Sequence, residues 1–443
     1  MKLNRSVVVL ALLGAVAACA PKELILQGQR EDIRTPLDAP ADATAKPDDT
    51  APHKVAVRLP SPRANSSWPA RNGGPSHHIT QPALGTALTP LWSVQIGAGE
   101  DKRHVITADP VVADGRVYTL DSRATVAATS TAGAALWHVD LTPPTDHADD
   151  ASGGGLAYGD GLLFATSAFG ELVALDPASG KVAWRQKFDA PVTSAPTVSG
   201  NTVYVTARDG SGWAINARTG KVRWQLQGVA SPDGLVGGAS VAVAGGVALF
   251  PFTSDDMVAT TASGGLRLWN TTVAGRRLGL VYAQISDIVG DPVIVGQTVY
   301  VGNATGRVAA YDLRSGERKW SATEGTMGPV WPVGSALYLV SDDAKLVRLD
   351  AATGAVVWKA DLPYYLPYKN DKRRRDIYVH YGPLLAGNRL ILASSDGLLR
   401  FFDPASGELT GTRQIGGEAV TDPVVAGRTL YVVTADGKLR AFR

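Results

Sequence analysis

The sequence predicts an all-β fold, an eight-bladed β-propeller of four-stranded antiparallel blades whose ring is closed by its N- and C-terminal strands. Two observations carry the prediction. Eight times a short apolar strand runs into a Gly-containing turn and a second strand. A glycine also recurs at intervals of 47, 40, 45, 51, 38 and 53 residues, the period of propeller blades, and in six of its seven occurrences a tryptophan stands four residues later. No segment competes as a long amphipathic helix.

The chain opens with Lys2 and Arg5 before the apolar run Val7 to Leu13. That run is too short to span a bilayer, and small residues follow it, so residues 1–18 read as a secretory signal peptide. Val16-Ala17-Ala18-Cys19 resembles the lipobox of bacterial lipoproteins, in which Cys19 would be the acylated first residue of the mature chain. Ala20 lacks the aspartate associated with inner-membrane retention, so this resemblance implies a lipid anchor in the outer membrane. Residues 36–62 are rich in Pro, Ala and charge and show no apolar period. Residues 19–67 therefore read as a lipidated N-terminus with a flexible linker, and residues 68–443 as the propeller.

Each repeat is legible through its turns. The eight hairpins turn at Asp114-Gly115, Asp160-Gly161, Gly200-Asn201, Gly245-Gly246, Gly296-Gln297, Gly334-Ser335, Gly387-Asn388 and Gly427-Arg428. A third strand, such as Arg307 to Tyr311, usually ends in a polar cap and a glycine, as in Asp176-Pro177-Ala178-Ser179-Gly180. There the Asp accepts turn amides and Gly supplies the left-handed residue. Tryptophans 137, 184, 224, 269, 320 and 358 follow on the fourth strand, with Gly411 where the next is expected. Residues 416–443 supply only three strands, and Leu91-Trp92-Ser93-Val94 is the candidate for the missing fourth. Packing between blades is the expected role of the tryptophans, and Trp184→Ala is expected to cost about 3–5 kcal/mol.

Composition narrows the function. With 43 basic and 41 acidic residues, two of the basic ones in the leader, the chain has no global field to gather polyanions, so nucleic acid is not an expected partner. One cysteine excludes a disulfide scaffold and any multi-cysteine metal or redox site. The seven histidines show no helical His-x-x-x-His, and His77-His78 lies in a Gly/Pro loop. Gly153-Gly154-Gly155 lacks the strand-to-helix context of a phosphate loop, and no nucleophile elbow is present. Glu100, Asp255 and Asp256 read as exposed loop acids. No catalytic residue, cofactor or metal site is expected.

The Asp-x-x-Ser/Thr-Gly-x-x-x-Trp repeats resemble those of the pyrroloquinoline-quinone-type propellers over residues 68–443. Two subclasses follow from that resemblance. One is the quinone-dependent dehydrogenases, which use a quinone, Ca²⁺, an adjacent cysteine pair and a catalytic Asp; the cysteine pair is missing here. The other is the BamB-type lipoprotein family, a non-catalytic scaffold of the outer-membrane β-barrel assembly machinery. It implies a single copy on the periplasmic face, bound to a BamA-type barrel protein and assisting unfolded outer-membrane proteins. Ser286-Asp287 within residues 284–292 looks like that family's Ile/Leu-Ser-Asp-Val-Asp stretch, with Asp287 matching the first acid and the second displaced or lost. Leu235 matches the leucine of the family's Leu-Arg-Gly loop, but Val236 stands where arginine is expected. Arg276 and Arg277 would add positive charge to this docking face. Two readings stand for each matched residue: Asp287 at the interface or capping a turn, Leu235 at the interface or covering core. The Tyr/Arg-rich loop 363–375 reads either as solvated or as meeting lipid headgroups, a partner or a nascent chain.

Overall fold

Short runs of β-branched and aromatic residues bounded by turn residues satisfy their backbone amides by ladder pairing. A computed structural model describes residues 50–231, 237–273, 275, 287–367 and 376–443. Among these the strands form eight four-stranded antiparallel sheets. Seven are built from consecutive strands, spanning residues 111–140, 154–187, 197–227, 242–272, 293–322, 331–361 and 380–414; we number these blades 1 to 7. Blade 8 joins Val424–Ala426, Thr429–Thr434 and Lys438–Phe442 to Pro90–Gln95. Its outer strand pairs Trp92 with Ala441 and Val94 with Leu439, so the two ends of the propeller chain close the ring as the sequence predicts.

Second and third strands are buried along almost their whole length because neighbouring blades cover both faces; outer strands alternate between exposed and half-buried positions. The turns follow the expected chemistry. Asp176 accepts the amides of Ala178 and Ser179 at 3.1 and 2.8 Å. The Ser179 hydroxyl and these amides hold its carboxyl below the usual carboxylate range.

Each outer-strand tryptophan lies over the turn glycine of the following blade. A Cβ placed on Gly133, Gly180, Gly220, Gly265, Gly316, Gly354 or Gly407 would sit 2.4–2.8 Å from the ring of Trp92, Trp137, Trp184, Trp224, Trp269, Trp320 or Trp358 respectively. The indole N–H often donates into the same turn, from Trp184 to the Ala217 carbonyl at 2.9 Å and from Trp320 to that of Ala351 at 3.0 Å. Only Trp320 and Trp358 of this series are buried; Trp184 is half-buried. Its truncation is therefore expected to cost nearer about 2 kcal/mol, the area it removes from water, than a core value.

This arrangement accounts for Gly411. A tryptophan there would cover the third-to-fourth-strand turn of blade 8, and blade 8 has no such turn, because its fourth strand comes from the other end of the propeller. The segment leading into that fourth strand docks on blade 7 instead: Arg389 donates to the carbonyls of Gly85 and Thr86 at 2.6 and 2.9 Å, and Arg413 to that of Ala87 at 2.8 Å.

Residues 50–67 depart from the flexible linker that their composition suggests. They run along the ring on the side of the first-to-second-strand hairpins and belong to the same compact unit as the blades. Lys359 donates its amide to the Thr50 carbonyl at 2.6 Å. The buried Arg348 donates to the carbonyls of Val55 and Ala56 at 2.6 and 3.1 Å. Gly427 donates its amide to Asn65, whose side chain donates to Val425, both at 2.6 Å. A Pro-rich strand with few apolar residues is held here by backbone carbonyls, which composition does not reveal.

Candidate functional site

Two regions could carry function: the ring axis, where the resembling dehydrogenases hold their quinone, and the end of the ring formed by the connections between blades.

The axis is filled by the chain itself. Trp68 and Val112 exchange two backbone hydrogen bonds of 2.7 and 2.9 Å. The carbonyls of Pro69, Pro75 and Ser76 accept the amides of Tyr158, Val243 and Ile294 at 2.7, 2.6 and 2.9 Å. Residues 68–76 are thereby tied to the inner strands of blades 1, 2, 4 and 5. A tight turn, Arg71–Gly73, sits at the middle of this crossing. From it the Arg71 Nε lies 3.2 Å from both Asp109 and Asp291, and Nη1 donates to the Gly238 carbonyl at 3.2 Å. Asn72, also buried, donates to Asp291 at 3.3 Å. Asp422 completes the group: its amide donates to Asp109 at 2.9 Å and its carboxylate accepts the Gly382 amide at 2.6 Å.

Burial, reinforced by the neighbouring Asp109, pushes the Asp422 carboxyl up to about 7. Burial also raises that of Asp109, while against its own desolvation the Arg71 guanidinium is raised by Asp291, then Asp109, then Asp422. His77 is buried beside Asp291 and held in place through the Pro292 carbonyl at 2.9 Å; burial lowers its pKa, favouring the neutral ring.

These residues do not fit a quinone. Arg71 and Asn72 cross the axis paired to Asp109 and Asp291, and the adjacent cysteine pair has no counterpart in a chain with one cysteine. Among the described residues no group of three or more His, Cys, Asp or Glu side chains has the geometry to hold a metal ion.

At the end of the ring formed by the interblade connections, the structure brings together the two segments that the sequence singles out. The Ser240 amide donates to Asp291 at 2.6 Å. Gly238 and Ala239 line one crevice of about 20 Å³ with Asp287 and Ile288. The connection leaving blade 4 is anchored by Asn303, which donates to the Val273 carbonyl at 2.6 Å and to Asp255 at 3.3 Å. Asp255 is thus buried in this anchor rather than exposed; Glu100 is half-buried, accepts the Ile106 amide at 2.8 Å, and is raised in pKa mainly by burial. Asp287 is 1% exposed, so its carboxylate lies beneath the surface. Cys19, Leu235, Val236, Arg276, Arg277, Ser286 and residues 368–375 lie outside the described residues.

Sequence reasoning missed the axial cluster, although a signal was present. Asp109-Pro110-Val111, Asp291-Pro292-Val293 and Asp422-Pro423-Val424 place the same tripeptide at the entry to the inner strands of blades 1, 5 and 8, a repeated acid at the one radius where the blades converge.

A closed eight-bladed ring of Trp-docked repeats, with its axis filled by its own chain, defines a propeller of the pyrroloquinoline-quinone-like repeat class. The family described as outer membrane protein assembly factor BamB matches residues 122–360 and 373–443, and the chain belongs to that family. Curated relatives carrying that description include one from Burkholderia pseudomallei, 27% identical over 80% of this chain and 87% of the relative. Another, from Moranella endobia, is 24% identical over 79% of this chain and 89% of the relative. Among solved structures, BamB from Moraxella catarrhalis superposes with a TM-score of 0.67 at 19% identity, covering 81% of this chain and 100% of that one. Quinohemoprotein alcohol dehydrogenase from Comamonas testosteroni superposes with a TM-score of 0.65 at 14% identity, covering 85% of this chain and 80% of that one. At these identities the superpositions speak to the fold alone.

Proposed function

We propose that the protein is a non-catalytic scaffold of the outer-membrane β-barrel assembly machinery. Acyl chains on Cys19 hold it at the periplasmic face of the outer membrane. It docks as a single copy on the periplasmic modules of a BamA-type barrel protein and assists the insertion of unfolded outer-membrane proteins. Family membership carries this reading, and the self-filled axis supports it over a quinone-dependent dehydrogenase.

The structure also favours one end of the ring for docking. Residues 50–67 run along the hairpins of the opposite end, whereas Ser240 and Asp291 join the connections entering blades 4 and 5 at this end. Loops positioned by a rigid scaffold are where binding groups reside. Leu235, Val236, Ser286, Arg276 and Arg277 belong in sequence to these connections, with Asp287 next to Ser286.

Leu235→Asp combined with Arg276→Glu and Arg277→Glu is expected to abolish co-purification of the BamA-type protein from membranes. The thermal midpoint should stay unchanged, because these substitutions spare the blades. Asp287→Asn tests the buried acid without placing a new charge inside. Full recovery of the partner with the triple variant would discard this docking face.

A further inference from the structure

We infer that Asp109, Asp291 and Asp422 form a guanidinium-binding site on the ring axis whose resident ligand is Arg71, and that filling it latches residues 68–79 into the ring. This inference needs no partner: it shares Asp291 and Gly238 with the connections proposed for docking, but its test is read on the chain alone and so fails or succeeds independently of the docking reading.

The three carboxylates are placed by the blades, not by the arginine. Asp291 accepts the Ser240 amide at 2.6 Å, Asp109 accepts the Asp422 amide at 2.9 Å, and Asp422 accepts the Gly382 amide at 2.6 Å. Each contact joins segments entering different blades, so the acids converge whether or not a cation lies between them. Three converging carboxylates repel one another in a poorly solvated space, and a delocalised, weakly hydrated guanidinium is the side-chain cation best suited to lie among them. Arg71 supplies it, with Nε between Asp109 and Asp291 and Nη1 on the Gly238 carbonyl.

The latch has a backbone counterpart. An inner strand has a free ladder edge on the axis side. Residues 68–76 satisfy the amides of Val112, Tyr158, Val243 and Ile294 on four such edges. These four amides report directly on whether the segment is seated.

Hydrogen exchange followed by mass spectrometry on the full chain tests the inference. In Arg71→Ala, exchange at Val112, Tyr158, Val243 and Ile294 is expected to rise roughly 10–100-fold, the scale of one charged hydrogen bond. Hairpin amides such as that of Leu430 should remain protected. About 20 mM methylguanidinium should restore protection by occupying the vacated site, while equal tetramethylammonium chloride should not. Unchanged exchange in Arg71→Ala would overturn the latch, and acceleration indifferent to methylguanidinium would overturn the guanidinium site. If Arg71→Ala loosens the blades generally, Asp291→Asn decides: faster exchange confined to Val243 and Ile294 supports the inference, and wild-type exchange there refutes it.

Discussion

Replacing Trp358 by alanine is expected to destabilise the propeller by about 3–5 kcal/mol, the cost of emptying a fully buried indole site. Trp358 is 0% exposed, packs at 5.9 Å between ring centroids against Tyr338, and covers the Gly407 turn of the next blade. For a fold of this length, unfolding cooperatively, that loss corresponds to a fall in Tm of roughly 4–6 °C. Gly407→Ala should be costly for two separable reasons. Its φ of +73° is strained for any residue with a Cβ, and that Cβ would sit 2.7 Å from the Trp358 ring. The first term is about 1–2 kcal/mol and survives in any background; the second vanishes once the ring is gone. A double-mutant cycle should therefore show Gly407→Ala costing less beside Trp358→Ala than alone, with a coupling of at least about 1 kcal/mol. Additive losses would mean that the glycine is required for its backbone alone.

The same pairing explains why the architecture was legible before the structure and why the axis was not. Hairpin glycines, Asp-capped turns and the Gly-to-Trp interval are local signals. Each blade repeats them, so eight weak indications support one another and even closure through Trp92 could be counted. Gly411, an apparent defect in the repeat, proves to be its consequence, since the blade that it adjoins has no turn to cover. Residues 50–82 carry no repeat and no apolar period. Several of the contacts that fix them reach residues more than two hundred positions away, such as Arg348 with Val55 and Asn65 with Val425, and a single sequence shows neither partner. The docking segments fall between these cases. Their match to a family pattern drew attention to Leu235 and Asp287, but only the fold shows that the two connections adjoin and that Asp287 lies below the surface.

Asp422→Asn is expected to remove a pH dependence that the wild-type ring carries. Burial and the charge of Asp109 raise the Asp422 carboxyl to about 7 in the folded chain, against about 3.9 for an unfolded aspartate. Between those values the folded state binds more protons than the unfolded state. Stability from this group is thus fully present below about pH 4 and is lost as the pH rises through about 7. The groups that face it are Asp109, Arg71 and Asp291, with Tyr381 on the adjoining strand. Asp109 is raised in the same direction. His77 acts oppositely, because burial lowers its pKa and a neutral buried imidazole gains relative stability as the pH rises towards 6.5. The histidine contribution is common to both proteins, so the informative quantity is the difference between them. Asparagine keeps the shape and can still accept the Gly382 amide. The variant should therefore be no more stable than wild type at pH 5 but more stable at pH 8, by roughly 2–5 °C in Tm. Parallel Tm curves from pH 5 to 8 would show that Asp422 ionises as freely on the axis as in the unfolded chain.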